Sequence, residues 1–415
     1  MNQLNLPHWA DRYMPKPKSN RGFKPSTYVT TLMLMLHEGG HHLSDVAYLH
    51  EDRALTKLLG LNKLPKEDAL SDFLYRLGHR DDGLQSIQYL NQTVLKQTLH
   101  HRRSVTLDID APFVPSHNLE ARWSYKKERG YMPMFGHIEE TGHLVAAQLR
   151  HGNVAPASDN HGFIKHCQSA LPQDVYVKRL RSDAAGYQVA ILDDCIDQGI
   201  EFAIRAKRSS ELKRMIEQQA DEDWQPLITR EGNSSDTVST CRLVHCMSKS
   251  RHSFTVIVQR EPKQGQLELS ELDSHQQDMM TGSNGYIYRA IATNRTDLTD
   301  SQIIHWYNQR AEASENRIKE LKLDFGGNNL PCHQFQANAV YLALCALAYN
   351  LLALLRECLP SQFQSCRAKT IRLRLYALAG KLVQHGRKVC LKLRSDHQQL
   401  LSKALACLQQ VAQAP

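Results

Sequence analysis

The 415-residue sequence has ten cysteines but no Cys-x-x-Cys pair and no Cys/His run at metal-ligand spacing. That excludes a zinc ribbon or a disulfide scaffold and predicts scattered, reduced, mostly buried thiols in a cytosolic protein. The start, Met1 to Trp9, lacks the charged-then-apolar layout of a signal peptide. Long apolar runs are also scarce. Ala337 to Leu355 alone is long enough to suggest a membrane span, but it contains Asn338 and Asn350. It reads as a helix buried in a protein core, and no membrane partner is expected. Acidic residues are absent between Glu357 and Asp396, where Arg367, Lys369, Arg372, Arg374, Lys381, Arg387, Lys388, Lys392 and Arg394 fall. A single sign over that length favours a phosphate backbone as partner. The whole chain, at +8 and a pI near 8.9, is only mildly basic. An apolar share of 41% marks a globular chain, and its length suggests two or three domains.

Residues 1–104 read as all-helical. An apolar run at Thr27–Leu36 is followed by Leu55, Leu58 and Leu59, then by Leu70, Phe73, Leu74 and Leu77 at helical spacing. Short helices with tight turns fit a helix-turn-helix-like bundle for DNA binding or dimerisation. Within it, His37-Glu38-Gly39-Gly40-His41 matches the His-Glu-x-x-His pattern of zinc peptidases. Paired glycines weaken a helix there, so a turn between helices is the competing reading.

From Val105 the texture changes. Val105, Leu107 and Ile109 alternate with Thr106, Asp108 and Asp110, a strand ending in aspartate. Two further strands, Gly130–Ile138 and His143–Leu149, complete a meander. A helix (Gly162–Ser169), a strand (Val175–Leu180) running into Asp183, a helix (Tyr187–Asp197) and a strand (Glu201–Lys207) follow. Asp183 stands just past a strand, where α/β folds place their sites, although a helix cap is its simpler role. The order predicts a mixed α/β, ribonuclease-H-like core in two parts, 105–207 and 286–360. A β-rich insertion (208–285) separates them, and a basic C-terminal region (361–415) follows. Tyr286–Thr293 reads as a strand, and Asp300 or Ser301 as the cap of the next helix.

That helix carries Trp306 to Phe325, with Glu315 and Lys322 seven residues apart and therefore on one stripe. Tyr307 and Arg310 lie just upstream. This combination, with Asp110 and Asp183, resembles the insertion-sequence DDE transposases that carry a Tyr-Arg-Glu-Lys signature. The family text is Tyr, two residues, Arg, three residues, Glu, six residues, Lys. Here four residues separate Arg310 from Glu315. A regular helix turns about 140° over those five steps, against about 40° over four. A π-type bulge, or a helix that begins after Arg310, would absorb the difference. Glu312 and Lys319 are also seven apart, so Glu312 competes with Glu315, as Asp108 does with Asp110.

The resemblance implies metal-dependent cleavage of element ends and strand transfer to target DNA. Asp110, Asp183 and Glu315 would hold two Mg²⁺ ions, for which Mn²⁺ can substitute. Tyr307, Arg310, Lys319 and Lys322 would grip phosphates, with Arg317 as an adjacent candidate. Trp306 or Trp224 would stack on a flipped base. The resemblance also implies a homodimer on paired terminal inverted repeats in the bacterial cytoplasm, associated with the nucleoid. A non-enzymatic DNA-binding protein of the same fold and a zinc peptidase using His37 and His41 are the alternatives.

Overall fold

The computed structural model of the chain describes residues 1–17, 22–60, 63–263, 280–386 and 388–413. Helices α1 (Leu6–Tyr13), α2 (Pro25–Glu38), α3 (Val46–Glu51), α4 (Arg53–Leu58), α5 (Glu67–Gly78) and α6 (Gly83–Leu99) precede the first strand. The predicted face of α5, with Leu70, Phe73, Leu74 and Leu77, is buried. It shares one core with Leu32 and Leu36 of α2 and with the later helix Phe335–Glu357. The N-terminal helices are therefore packed onto the rest of the chain.

The chain then runs through β1 (Ser104–Asp110), the short strands β2 (Val114–Pro115), β3 (Arg122–Trp123) and β4 (Arg129–Tyr131), and β5 (Met134–Ile138) and β6 (Leu144–Gln148). Next come α7 (Asn160–Ala170), β7 (Tyr176–Ser182), α8 (Val189–Asp197), β8 (Glu201–Arg205) and α9 (Ser210–Glu217). After them lie β9 (Gln225–Ile228), β10 (Ser234–Cys246), β11 (Ser253–Pro262), β12 (Met280–Thr281) and β13 (Tyr286–Thr293). Among the described residues one ten-stranded sheet has the order β6-β5-β1-β7-β8-β13-β11-β10-β9, with β12 on β13. Strands β1, β7 and β8 are parallel neighbours, whereas β5 and β13 run against them. The β-rich segment predicted between the two parts of the core extends the same sheet, because β11 pairs along β13 from Thr255–Thr293 to Pro262–Tyr286.

One face of β1 (Val105, Leu107, Ile109) packs on Phe163 and Ile164 of α7 and on Ile191 and Leu192 of α8. The other face is buried too, because α10 (Asp300–Asp324) lies across the sheet and seats Ile303, Ile304 and Tyr307 on Ala203, Ile257 and Ile291. Its cap is Thr299, not Asp300 or Ser301. Thr299 Oγ1 accepts from Gln302 N at 3.3 Å, and Gln302 Oε1 accepts from Thr299 N at 3.0 Å, a reciprocal capping box. Asp300 is instead paired with Arg242, and the Ser301 hydroxyl accepts from Ile228 N. The helix is α-helical from Asp300 to Asp324, so neither a π-bulge nor a late start absorbs the extra residue before Glu315.

Helix α11 (Phe335–Glu357) is the predicted apolar core helix, with 83% of its most apolar window buried. Its asparagines explain themselves. Asn338 bonds both the N–H and the C=O of Cys332, and Asn350 bonds both the N–H and the C=O of Leu144 on β6 and reaches Asn91 on α6. Buried amides satisfied in this way fix the packing register of their elements.

The tail forms α12 (Ser361–Gln364), α13 (Ala368–Ile371), a π turn (Arg372–Tyr376), a hairpin of β14 (Lys381–His385) and β15 (Lys388–Lys392), and α14 (Ser395–Gln413). Two of the cations assigned to DNA hold the fold instead. Arg367 pairs with the buried Asp324 at 2.8 Å, and Arg372 donates to the last carbonyls of α2, Leu36 and His37. Lys369, Arg374, Lys381, Lys392 and Arg394 are exposed, while Arg387 lies outside the described residues.

Candidate active site

Asp110 is the last residue of β1, and Asp183 follows the last residue of β7. The two strands are parallel neighbours whose last paired positions are Ile109 and Ser182. Both carboxylates therefore leave the same end of the sheet, on backbones about 5 Å apart. Asp183 also caps the turn Ala184–Gly186, accepting from Ala185 N at 3.0 Å, so its capping role and its position at the strand end coexist. Asp110 accepts from Ala111 N at 2.8 Å in the same manner.

Helix α10 closes a cleft of about 560 Å³ over these ends. Its walls bring together Asp110, Asp183, Tyr307, Arg310, Glu315, Lys319 and Lys322. Glu315 and Lys322 share the stripe facing the opening, and Glu315 and Lys319 are exposed. Arg310 lies on the sheet side of the helix, buried, and one guanidinium nitrogen donates to Ile109 O at 3.4 Å. Burial opposes its charge, yet Tyr307, Asp110, Asp183 and Asp108 outweigh that cost and hold its pKa above the ordinary value. The extra residue therefore sends Arg310 beneath the helix and Glu315 to the rim, and both still line one cleft. Lys322 Nζ donates to Phe113 O at 2.9 Å; burial and then Lys126 lower its pKa while Asp110 opposes them. The Glu312 side chain lies outside the described residues.

The donor chemistry suits a hard cation in part. Two aspartates on adjacent strand ends present oxygens to one space, which Mg²⁺ prefers. Glu315 stands at the rim, and among the described residues no three His, Cys, Asp or Glu side chains gather closely enough to hold a metal. Arg310 supplies the positive charge next to the aspartates in this arrangement.

Asp108 does not compete for this role. It is fully buried, and Arg181 clamps it through Nε at 2.7 Å and a terminal nitrogen at 2.8 Å. Its second oxygen also lies 3.8 Å from His137 Nε2. Arg317 is spent on the carbonyls of Ile138 and Glu139. Nor do the proposed stacking residues offer a free face. Trp224 is buried under Arg260 at 4.3 Å, and Trp306 has Arg181 at 5.5 Å and Arg295 at 4.8 Å. Arg205, at the carboxyl end of β8, lines the cleft and stands 5.1 Å over the Tyr307 ring. The sequence reading missed it, although its place at a strand end was the available signal. A second cavity of about 580 Å³ along α10 and α11 is crossed by the internal pair Arg356–Glu320 and carries no comparable constellation.

The zinc-peptidase pattern is broken at its centre. Helix α2 ends at Glu38 with Gly39 at φ +96°, so His41 leaves the helix and cannot share a helical turn with His37. His37 is half-buried against Tyr376 Oη at 3.0 Å, and desolvation lowers its pKa to about 4. Burial likewise lowers His143 to about 3 and His137 well below the ordinary value. These histidines are neutral when folded but take up protons below pH 6.5 when unfolded, so stability present above pH 6.5 is lost as the pH falls. At pH 5 His37 and His143 each contribute a loss of about 2 kcal/mol, and His137 acts in the same direction. Glu357, raised by burial to about 7, binds its proton in the folded state and offsets one of the three. Melting followed by circular dichroism should therefore show a Tm several degrees lower at pH 5 than at pH 7.5, and His143→Gln should flatten that slope.

The cleft thus gathers a pair of aspartates at parallel strand ends under a helix bearing Arg, Glu and Lys. The family model described as transposase DDE domain group 1 matches residues 4–413, and the chain belongs to that family. It is a DDE transposase domain. Among solved structures, one that it resembles is a piggyBac transposase synaptic complex with hairpin DNA. The TM-score is 0.46 at 8% identity, with 99% of this chain and 78% of that chain covered. No curated protein matches.

Proposed function

We propose that the protein cuts DNA at the ends of its own insertion sequence and joins them to target DNA by in-line phosphoryl transfer. One observation carries this reading: Asp110 and Asp183, from adjacent strand ends, share a cleft with Tyr307, Arg310, Glu315, Lys319 and Lys322 of one helix. The strand order β6-β5-β1-β7-β8, with β5 alone reversed, supports a ribonuclease-H-like core. Asp110 and Asp183, joined by Glu315 from the rim, are the residues that would hold Mg²⁺ or Mn²⁺. When bound, two such ions stabilise the attacking and leaving oxygens of the displacement. Arg310 anchors the phosphate between the strand ends through a fork geometry that suits two oxygens at once. Lys322 and Lys319 add point charges along the groove, and Arg205 and Tyr307 close its inner wall. The partners in this reading are the terminal inverted repeats and the target duplex, held by a homodimer on paired ends.

The test is cleavage of DNA fragments flanking the protein's own gene, with Mg²⁺ and with EDTA. Wild type should nick the element ends only with the metal. Glu315→Gln should abolish nicking and Glu312→Gln should spare it; the reverse result would move the third carboxylate by three residues. The single added residue before Glu315 favours a binding-only reading, and tight binding by wild type without any nicking would establish it.

A further inference from the structure

Between β1 and β5 the chain leaves the main sheet and builds an arm from β2, β4 and β3. Its root is locked. Asn118 Nδ2 donates to Leu330 O at 2.8 Å, and the Glu120 carboxylate accepts from Phe335 N. Arg129 ties the carbonyls of Asn118 and Ala121, both at 3.2 Å. A Cβ on Gly130 would stand 2.1 Å from Val114 O, so the strands meet more closely than any side chain permits. Lys322 of the cleft bonds Phe113, where the arm begins.

The tip is the reverse of the root. Both residues of β3, Arg122 and Trp123, are exposed. Trp123 is 66% exposed and Tyr125 is 59% exposed. A turn held by Lys127 N to Ser124 O at 3.0 Å and Ser124 N to Glu128 O at 2.8 Å carries Tyr125, Lys126 and Lys127 outward. Lys127 adopts φ +59°, a left-handed conformation that costs a non-glycine residue about 1 kcal/mol. The charge of Lys126 reaches the cleft, since it contributes to lowering the Lys322 pKa. The chain has four tryptophans. Trp9 stacks on Tyr13, and Trp224 and Trp306 lie under arginines. Trp123 is thus the tryptophan with open faces among the described residues.

Large apolar rings left in water beside lysine and arginine, on an arm whose start is bonded to Lys322 of the cleft, match one class of ligand: unpaired nucleotides. Bases stack on the rings and phosphates meet the cations. We propose that Trp123 and Tyr125, with Arg122, Lys126 and Lys127, form a stacking arm that takes unpaired nucleotides of the DNA strand entering the cleft. This rests on the proposed transposase function. Rigid anchoring at the root means little ordering cost on binding, because the rings are already held out.

The experiment measures binding of the full chain, in EDTA, to two labelled DNAs carrying the element end: a fully paired duplex and one with three unpaired nucleotides beside the cleavage position. Wild type should prefer the unpaired form. Trp123→Ala should weaken binding to it about tenfold, with the paired duplex changed less than twofold. Trp123→Phe should keep most of the preference, and binding should quench the Trp123 fluorescence. Equal loss on both DNAs, no loss on either, or a changed oligomeric state with unchanged DNA binding would overturn the arm, the last pointing to a protein contact. A wild type that binds and cleaves DNA but ignores Trp123 overturns the arm alone. A wild type that binds neither DNA overturns the transposase reading with it.

Discussion

Asp110→Asn and Asp183→Asn should each reduce cleavage of element ends on the order of a thousandfold or more while leaving the protein folded. The substitution is chosen to separate chemistry from architecture. Asp183 accepts from Ala185 N, and asparagine can still cap that turn, whereas alanine would lose about 1 kcal/mol of cap. Asp110 accepts from Ala111 N, and the amide oxygen of asparagine keeps that bond as well. What each change removes is one negative charge from a cleft that also holds the buried Arg310. If the carboxylates act through a bound cation, neutralising either strips the hard oxygen donors that Mg²⁺ requires, and raising its concentration should restore little. The measurements are strand cleavage on gels and a thermal melt of the same preparations. Near-wild-type cleavage by Asp183→Asn would remove the strand-end aspartates from the mechanism, whatever the family.

Much of this site was legible in the sequence, for a physical reason. Period-two alternation fixes which residues of β1 share a face, and a strand that ends in aspartate announces its carboxyl end. The seven-residue spacing of Glu315 and Lys322 places them on one stripe of α10 without knowledge of its neighbours. The failures are all long-range. Alternation put Asp108 and Asp110 on one face as equals, and only Arg181, arriving on β7 in the pairing Asp108–Arg181, decides which of them is buried. Trp306 looked available until Arg181 and Arg295 covered it. Strands β10 and β11 were visible as β-type runs, but their pairing with β13 is a contact across sequence that no local pattern records. Thr299, Asp300 and Ser301 are all good caps, and tertiary partners for the latter two left the cap to Thr299. A π-bulge or a late helix start is needed only if Arg310 and Glu315 must point the same way, whereas a long arginine reaches the cleft from below.

Arg181→Met should be the most destabilising single change beneath the cleft, at about 3–5 kcal/mol. Arg181 is fully buried and joins three elements at once: it clamps Asp108 of β1 from its own strand β7 and donates to Trp306 O of α10 at 2.6 Å. Methionine fills much of its volume but leaves Asp108 as a charge without its guanidinium, and His137, held neutral by burial and by the cations around it, is poorly placed to replace it. Lysine is no substitute, since one ammonium cannot reproduce a fork that spans a carboxylate and a helix carbonyl. The cost lies in the orphaned charge rather than in the ion pair itself, so the double variant Arg181→Met/Asp108→Leu should recover most of the loss. Urea unfolding of the two single variants and the double variant gives that coupling energy directly. The double variant should also separate stability from position: with the pair gone, nothing polar ties Trp306 to β7, so α10 should sit less firmly over Asp110 and Asp183, and cleavage should stay low although the melt recovers. Arg181→Met within about 1 kcal/mol of wild type, or full cleavage by the double variant, would show that the remaining contacts of α10, the seating of Ile303 and Ile304 and the bonds of Arg310, Arg317 and Lys322, hold the helix in place without Arg181.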